Sequence, residues 1–251
     1  MEKKFKNKVT IITGAASGIG KAVAQRLGRE GAILALFDFN KVVLKKTVDE
    51  FIKKGIRAKG FVVDISKEAQ VSKSVSLVNK EWGKIDILVN SAGIVGPTST
   101  KITDFTTAEF DRIYEVNLKG TFLITKYTLK KMEKVGAGRL LLISSMAGKE
   151  GNPGMVGYSA TKAGVIGLVK GVAKEFADTN ITVNGLAPAV IKTSMNDNTS
   201  AEQLAYMTAK IPMKRMGTVE EVAALSAFIV SDENSFSTGF IYDISGGRAT
   251  Y

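Results

Sequence analysis

The sequence predicts an α/β fold, in which one doubly wound domain has a parallel sheet of seven strands with helices on both faces. Three observations lead to this prediction. Short runs rich in Val, Ile and Leu alternate with longer helix-like stretches. No low-complexity linker divides the chain, and 251 residues is about the size of one such domain. A glycine-rich turn follows the first apolar run, where a strand of this fold class would turn into a helix.

The predicted strands are near-continuous apolar runs, which suit a sheet covered on both faces. They are Val9–Thr13, Ala32–Phe37, Ala58–Val63, Ile85–Asn90, Arg139–Ser144, Ile181–Leu186 and Phe240–Ile244. The predicted helices lie near residues 18–30, 41–54, 67–82, 107–134, 156–178 and 219–231. We predict that residues 1–251 form a single domain built of consecutive βαβ units.

The composition excludes several kinds of catalysis, because the chain contains no His and no Cys. Neither a Ser-His-Asp nor a Cys-His arrangement can operate, and a zinc site of the usual Cys/His kind cannot form. A general acid or base must therefore be Tyr, Lys, Asp or Glu. We predict no metal site.

The apolar runs also bear on location. Runs such as VTIIT and ILALF are shorter than the about 20 residues that a membrane-spanning helix needs. The first apolar run ends in a glycine turn, which is not typical of a signal peptide. The absence of Cys fits a reducing compartment. We expect a cytoplasmic protein with no membrane partner.

The formal net charge of +11 raises the question of nucleic-acid binding. The lysines are dispersed along the chain, and most fall where helix surfaces are predicted. A nucleic-acid-binding protein would be expected to cluster its basic residues with aromatic ones on one face. Dispersion favours a solvated surface, with an anionic substrate or cofactor as the next explanation. We expect no nucleic-acid partner.

The first predicted unit, VTIITGAASGIGKAVAQRLGREG, has the order strand, glycine-rich turn and helix. Gly14, Gly18 and Gly20 would let the backbone turn tightly and approach a pyrophosphate at the positive N-terminus of the helix. The second strand is followed by Asp38, at about the distance that a Rossmann-type site requires. A carboxylate there accepts hydrogen bonds from both ribose hydroxyls and repels a 2′-phosphate. The cofactor predicted is therefore NAD.

Three Tyr–Lys pairs have a spacing that places both side chains on one face of a helix. They are Tyr158 with Lys162, Tyr127 with Lys131, and Tyr206 with Lys210. Spacing alone does not distinguish a proton-transfer pair from a packed tyrosine beside a solvated lysine.

A set of short motifs runs through the chain in a specific order. They are TGAASGIG (13–20), VDI (63–65), NSAG (90–93), VNLKG (116–120), ISS (143–145), YSATK (158–162) and VNGLAPAVIKTSM (183–195). Together they resemble the short-chain dehydrogenase/reductase family, over essentially the whole length. The resemblance implies an oxidoreductase that interconverts a secondary alcohol and a ketone with a nicotinamide cofactor.

The resemblance also separates the three pairs. In the family, the catalytic serine lies at a strand end, thirteen residues before the catalytic tyrosine. Ser145 has that spacing from Tyr158, whereas Ser144 misses it by one residue. Neither Tyr127 nor Tyr206 has such a serine upstream.

Roles then follow by resemblance. Tyr158 is the acid/base, and Ser145 hydrogen-bonds the reacting oxygen. Lys162 lowers the pKa of Tyr158, together with a positively charged nicotinamide, and holds the nicotinamide ribose. Asn117 completes a proton relay through water, or is a structural residue of its helix.

Further cofactor contacts are implied by the same resemblance. They are Ser17, Ile19, Asp64, Ile65, Asn90, Ala92, Gly93, Val190 and Thr193. Asp64 and Ile65 would meet the adenine, and Val190 and Thr193 the carboxamide and phosphate side. Ser91 and Ala189 depart from the residues that the family commonly has at these positions.

Substrate loops are expected at the carboxyl ends of the strands, over residues 94–103, 146–156 and 190–215. The second is polar and offers Lys149, Glu150 and Asn152, which suits a small hydroxylated substrate or is merely solvated loop. The tail YDISGGRATY resembles bacterial dehydrogenases of 2-keto-3-deoxy sugar acids, and Arg248 would then bind a substrate carboxylate.

Other activities stay open. A 3-oxoacyl-thioester (acyl carrier protein) reductase is disfavoured because the glycine turn has no basic residue and Asp38 disfavours a 2′-phosphate. A neutral sugar or polyol dehydrogenase is not separated from the acid dehydrogenase. A catalytically silent NAD-sensing protein need not retain Ser145, Tyr158 and Lys162. By resemblance we expect a homotetramer, with small residues such as Gly164 and Gly167 in the contact or packed within the monomer.

Overall fold

The computed structural model describes residues 3–193 and 201–249. The strands of this part are β1 Val9–Thr13, β2 Ile33–Asp38, β3 Ala58–Val62, β4 Ile87–Asn90, β5 Ala137–Ile143, β6 Asn180–Pro188 and β7 Ile241–Ile244. The helices are α1 Gly18–Arg29, α2 Lys41–Lys53, α3 Glu68–Trp82, α4 Thr107–Tyr114, α5 Gly120–Met132, α6 Met146–Glu150, α7 Val156–Glu175, α8 Ala201–Ala209 and α9 Val219–Ile229.

The strands form one parallel sheet in the order β3-β2-β1-β4-β5-β6-β7. The predicted fold class is confirmed, and the predicted strand boundaries differ from the observed ones by one or two residues at most ends. The strand order reverses between β1 and β4, because β2 and β3 extend the sheet to one side of β1 and β4 to β7 extend it to the other. In doubly wound folds this reversal opens a crevice at the carboxyl ends of the strands, and ligands bind there.

Two apolar cores cover the two faces of the sheet. One contains Val23 and Leu27 of α1 with Val222 of α9. The other joins α3, α5 and α7, for example through Ile124 and Val165. None of the helices in the described part of the chain is both long and apolar enough to cross a membrane.

The helix predicted over residues 107–134 is interrupted in the structure. α4 ends at Tyr114, a π-helical turn occupies Glu115–Lys119, and α5 begins at Gly120. A π turn inserts one extra residue into a helix, and such turns are frequent at functional sites. The two short helices α6 and α8 lie in segments where only loops were predicted.

Candidate active site

The glycine-rich turn packs against the backbone that follows β4. Gly14 has φ +63°, and a Cβ there would lie 2.9 Å from the Ala92 Cα. A Cβ on Gly20 would overlap the Gly14 carbonyl oxygen. Ser17, the residue before α1, makes no side-chain capping bond to the first N–H groups of the helix. The turn therefore fits the pyrophosphate of a dinucleotide, because it offers uncapped N–H groups at a positive helix end.

Two other predicted contacts of this turn have different surroundings. Gly18 has φ +52°, and a Cβ there would lie 3.6 Å from the Thr193 methyl group. The turn and Thr193 therefore face each other, as the prediction requires. Ile19 is partly buried and packs against the apolar core. Its side chain supports α1, which leaves its backbone for a ligand.

Asp38 ends β2 directly beside the glycine turn. Its carboxylate is 9% exposed and accepts hydrogen bonds from the backbone N–H of Ala16 at 3.1 Å and of Asn40 at 2.9 Å. Each carboxylate oxygen has further lone pairs that these bonds do not use. A negative charge is thus fixed next to the turn, where the second strand was predicted to place it.

The other predicted adenine contacts are at the end of β3. Asp64 accepts hydrogen bonds from the backbone N–H and the hydroxyl of Ser66, at 2.9 and 2.7 Å. Ile65 is 5% exposed, and a Cβ on Gly120 would lie 2.8 Å from its side chain. Both residues therefore have structural contacts, and their contact with adenine stays a prediction.

A buried network of hydroxyl and amide groups joins the ends of β1 and β4 to α5. The Thr13 hydroxyl donates to Asn90 Oδ1 at 2.6 Å and accepts from the backbone N–H of Ser91 and Ala92, both at 3.1 Å. Asn90 Nδ2 donates to the Thr121 hydroxyl at 2.8 Å. Sequence reasoning missed the roles of the two threonines. Thr13 lies inside a quoted motif, but nothing in the sequence indicated its partners.

Asn117 lies in the π-helical turn and is fully buried. Its side chain pairs with the backbone of Ile94, donating to the carbonyl and accepting from the N–H, each at 2.8 Å. The Asn117 carbonyl accepts a hydrogen bond from the Thr121 hydroxyl at 2.6 Å. The side chain therefore fixes the start of the 94–103 loop, and its part in a water relay stays a prediction.

The two serines after β5 have different environments. Ser144 is 2% exposed, and its hydroxyl donates to the Lys162 carbonyl at 2.8 Å. Ser145 is partly exposed and is the N-cap of α6, where its hydroxyl accepts from the Ala147 N–H at 3.1 Å. The Ser145 hydroxyl also hydrogen-bonds the phenol of Tyr158, in the first turn of α7. Ser145 is thus the serine that interacts with the tyrosine.

Lys162 is 5% exposed and lies beside the Tyr158 ring. Its ammonium donates to the Ile143 carbonyl at 2.9 Å and is 5.7 Å from the ring centroid. A Cβ on Gly93 would lie 3.4 Å from this ammonium and 3.2 Å from Asn117 Oδ1. The predicted catalytic residues and Gly93 therefore form one cluster.

Burial dominates the proton affinities of this cluster. It raises the pKa of the Tyr158 phenol, which the hydrogen bond from Ser145 only partly offsets. It lowers the pKa of Lys162 to about 8, because an ammonium loses hydration there. The lowered tyrosine pKa predicted from the sequence does not follow from the chain alone, since the desolvation of the phenol outweighs the nearby lysine. It requires additional positive charge at the site.

The other two Tyr–Lys pairs lie away from this cluster. The Tyr127 hydroxyl donates to Glu68 at 2.8 Å on the surface between α3 and α5. Tyr206 is 50% exposed, and the Lys210 ammonium lies 4.4 Å from its ring centroid. Neither tyrosine contacts a serine hydroxyl in the described part of the chain.

Comparison with known proteins identifies the family. Residues 14–249 match a family model described as enoyl-(acyl carrier protein) reductase. The chain belongs to the short-chain dehydrogenase/reductase family. It is therefore an oxidoreductase of a family that uses nicotinamide cofactors.

Two curated relatives and a solved structure illustrate the range of this family. A 2-dehydro-3-deoxy-L-rhamnonate dehydrogenase (NAD(+)) from Sphingomonas sp. (strain SKA58) is 40% identical, over 99% of this chain and 98% of its own. The 3-oxoacyl-[acyl-carrier-protein] reductase FabG of Thermotoga maritima (strain ATCC 43589 / DSM 3109 / JCM 10099 / NBRC 100826 / MSB8) is 38% identical, over 97% of this chain and 98% of its own. The crystal structure of an NAD+-bound xylitol dehydrogenase superposes with a TM-score of 0.93 at 32% identity, covering 98% of this chain and 100% of that one.

Ion pairs join the segments that we predict to form the substrate side of the site. Arg248 binds Glu150 through Nε at 2.8 Å and Nη2 at 2.7 Å, and its Nη2 also donates to Asn152 at 3.0 Å. Lys149 pairs with Asp243 at 2.8 Å. The structure thus joins Lys149 and Arg248 to acidic partners, and Asn152 to Arg248. Glu150 and Asp243 lie in segments that the sequence analysis had already selected. Their negative charge was the signal that could have paired them with Arg248 and Lys149.

The third predicted loop is only partly described, since residues 194–200 of the 190–215 segment lie outside the described residues. Val190 is 8% exposed, and its carbonyl accepts from the Gly217 N–H at 3.0 Å. The Lys192 N–H in turn donates to the Gly217 carbonyl at 2.9 Å. These bonds fix the backbone beside Thr193, whose contact with the cofactor stays a prediction.

Proposed function

We propose that the protein interconverts a secondary alcohol and a ketone with NAD(H), and that Tyr158 transfers the proton. The observation that carries this proposal is the cluster in which Ser145 interacts with the Tyr158 phenol beside the buried Lys162. The nicotinamide, when bound, supplies the hydride transfer. The glycine turn, Asp38 and Gly93 would hold it.

The protein's own groups account for the proton. With a raised pKa the Tyr158 phenol is protonated at neutral pH, so it can donate a proton to the oxygen of a ketone as that oxygen becomes an alkoxide. When the substrate is bound, the Ser145 hydroxyl, which has one proton to donate, turns from the phenol to the same oxygen and so orients it. In the oxidative direction the phenol must first lose its proton. Positive charge from Lys162 assists that loss, and by the family resemblance Asn117 would hold a relaying water.

NAD is the preferred cofactor in this proposal, because of Asp38. The 2′-phosphate of NADP would be placed against a largely buried carboxylate that two backbone N–H groups hold in position. Such a carboxylate cannot swing away, so the repulsion of like charges would be retained. The relative named as NAD(+)-dependent supports the same choice.

A 2-keto-3-deoxy sugar acid is the substrate class that we propose, supported by the relative at 40% identity and by the polar 149–152 segment. A neutral sugar or polyol is favoured by a different observation. Arg248 is already neutralised by Glu150, and Lys149 is paired with Asp243, so neither charge is offered freely to an acidic substrate. A 3-oxoacyl thioester is the third candidate, because of the FabG relative.

Self-association is proposed through the surface of α4, α5 and α7. Tyr114 and Phe122 are 42% and 47% exposed there and line one groove together with Gly164 and Gly167, and a contiguous exposed apolar patch is typical of an interaction surface. A Cβ on Gly167 would meet nothing within 4 Å, whereas one on Gly164 would lie 2.7 Å from Leu118. Gly164 therefore packs within the monomer, and Gly167 leaves the helix open to approach. The homotetramer stays a prediction that sedimentation would test.

The test of the function is an initial-rate assay of NADH formation with 2-keto-3-deoxy sugar acids, neutral sugars and polyols. Reduction of acetoacetyl thioesters is measured alongside, with NAD(H) compared with NADP(H). We expect NAD-dependent turnover of the acids. Turnover of only the thioester, or only with NADP(H), would contradict the substrate or the cofactor proposed.

Tyr158→Phe tests the mechanism in the same assay. Loss of the phenol proton should lower kcat by about 10²- to 10⁴-fold, the usual contribution of general acid–base catalysis. The Kd for NADH, measured by fluorescence, should stay unchanged because the ring remains. Tyr127→Phe is the matched control, because Tyr127 has the same spacing to a lysine but lies on the surface between α3 and α5, and it should retain full activity. A Tyr158→Phe enzyme with near-normal kcat would show that another group transfers the proton.

A further inference from the structure

We propose that Arg248 is a positioning residue, which holds the 149–152 segment in the shape that places Ser145 and Tyr158. This inference rests on the proposed function only in taking those two residues as catalytic. It differs from the role suggested by the sequence, in which Arg248 binds a substrate carboxylate.

The contacts of Arg248 are those of a fixed group. Its side chain is 7% exposed, and Nε and Nη2 both donate to one oxygen of Glu150. Nη2 also donates to Asn152. A guanidinium that has lost this much hydration is stabilised only where its hydrogen-bond partners are in place. Any displacement of the segment would therefore separate a buried charge from its partner.

The 149–152 segment connects directly to both catalytic residues. It is preceded by Ser145, which caps α6, and α6 has only five residues, too few to be stable without tertiary contacts. At its other end the Asn152 N–H donates to the Ser159 hydroxyl at 3.0 Å, and Ser159 adjoins Tyr158. Asn152 thus bridges the guanidinium and the first turn of α7. A shift at Arg248 would be transmitted to the geometry of the Ser145–Tyr158 pair.

The same contacts argue against a substrate carboxylate on Arg248. Its Nε and Nη2 already bind a carboxylate from within the chain, in contacts of 2.8 and 2.7 Å. An acidic substrate would have to displace Glu150, which is tethered to the segment and so has a high effective concentration. Glu150 therefore occupies the donors of Arg248 that a substrate carboxylate would need.

The experiment compares Arg248→Met, Arg248→Lys and the double variant Arg248→Met/Glu150→Met with the wild-type enzyme. Lys45→Met, which removes the exposed Lys45–Asp49 pair on α2, is the matched control. Three measurements are made for each variant. They are the kinetic constants kcat and KM with acidic and neutral substrates, the Kd for NADH, and the rate of amide hydrogen exchange over residues 146–152.

We expect Arg248→Met to lower kcat by about 10- to 100-fold for acidic and neutral substrates alike, the effect of a small misplacement of catalytic groups. Exchange over residues 146–152 should become faster, while the Kd for NADH stays unchanged. Arg248→Lys should recover part of both losses, since it keeps the charge. The double variant should be no worse than Arg248→Met, because the two residues act as one unit.

Two results would overturn the proposal. A rise in KM for acidic substrates alone, with unchanged exchange, would make Arg248 a substrate-binding residue. Normal kcat and exchange in Arg248→Met would leave it no positioning role. If Arg248→Met fails to fold, Arg248→Lys decides, because wild-type kcat and exchange in that variant contradict a geometry-dependent contact. The exchange measurement requires no substrate, so it remains decisive even where the proposed substrate class is wrong.

Discussion

The cofactor side and the substrate side of the cleft are held together by different kinds of contact. On the cofactor side, Asp38 and Thr13 bind backbone N–H groups, and Gly14 touches backbone atoms. On the substrate side, Lys149 and Arg248 bind side-chain carboxylates, in pairs separated by 94 and 98 positions in the chain.

This difference bears on how each side can change. A contact to the backbone survives substitution of the residue that provides it, so the shape of the cofactor side depends on few side chains. A contact between two side chains is lost when either is replaced. The substrate side can therefore be altered by single substitutions, which suits a family whose members act on different substrates.

The largest effect of a single substitution is expected at Gly14, on the cofactor side. Gly14→Ala should destabilise the protein by about 2–4 kcal/mol, because Ala is strained at positive φ and its Cβ would press on Ala92. NADH binding should weaken more than tenfold, as the turn is pushed from the helix end. Urea unfolding and NADH fluorescence measure the two effects.

Gly55→Ala is the matched control for that substitution. Gly55 has φ +73°, but a Cβ there would meet nothing within 4 Å. It should cost about 1 kcal/mol from strain alone and leave NADH binding unchanged. Equal losses in the two variants would mean that backbone strain, and not the contact with Ala92, shapes the turn.

Lys162→Met tests a residue that lies where the cofactor side and the substrate side meet. The pKa of Lys162 is lowered from 10.5 to about 8 in the folded protein. The unfolded chain therefore binds the proton more tightly, and a charged Lys162 opposes folding below pH 8. Met should raise the free energy of unfolding by about 1–2 kcal/mol at pH 7 while it abolishes activity.

The pH dependence checks the cause of that gain. As the pH rises from about 8 towards 10.5, the wild-type lysine becomes neutral in the folded protein first, and the advantage of Met should shrink. Urea unfolding of both proteins at pH 7 and pH 10 measures it. A difference that stays constant with pH would show that packing, not charge, is responsible.

Asp243→Asn is expected to have the smallest effect. The Lys149–Asp243 pair has side chains 10% and 26% exposed, so weakening it should cost about 1 kcal/mol. Asp49→Asn breaks the Lys45–Asp49 pair, at 76% and 49% exposed, and should cost less than about 0.5 kcal/mol. Thermal unfolding compares the two. Equal shifts would remove the distinction between substrate-side and surface ion pairs.

The difference between local contacts and contacts of distant segments also explains which features could be predicted from the sequence. The fold class and the strands followed from apolar runs, and the prediction of Ser145, Tyr158 and Lys162 as a cluster followed from the family resemblance that the local motifs carry. The π-helical turn at Glu115–Lys119 could not be predicted, because one inserted residue hardly disturbs the apolar pattern on either side. The pairing of Arg248 with Glu150 depends on how distant segments meet, and no local pattern encodes that.

For helix α8, the sequence did contain a local signal for a helix. The segment that forms α8 contains good helix formers, but its place at the carboxyl end of a strand led to the prediction of a substrate loop. The predicted roles of Lys149 and Arg248 are also incomplete, because they treat each residue as a single charge without its acidic partner.

The pairing of Arg248 with Glu150 also sets an order in time for biosynthesis. The residues of β1, β4 and α5 that complete the Thr13 network are all translated before Arg248. Glu150 is translated 98 residues before Arg248, so α6 waits about that long for its partner. A nascent chain can therefore form the Thr13 network well before the contact that holds the 149–152 segment becomes possible.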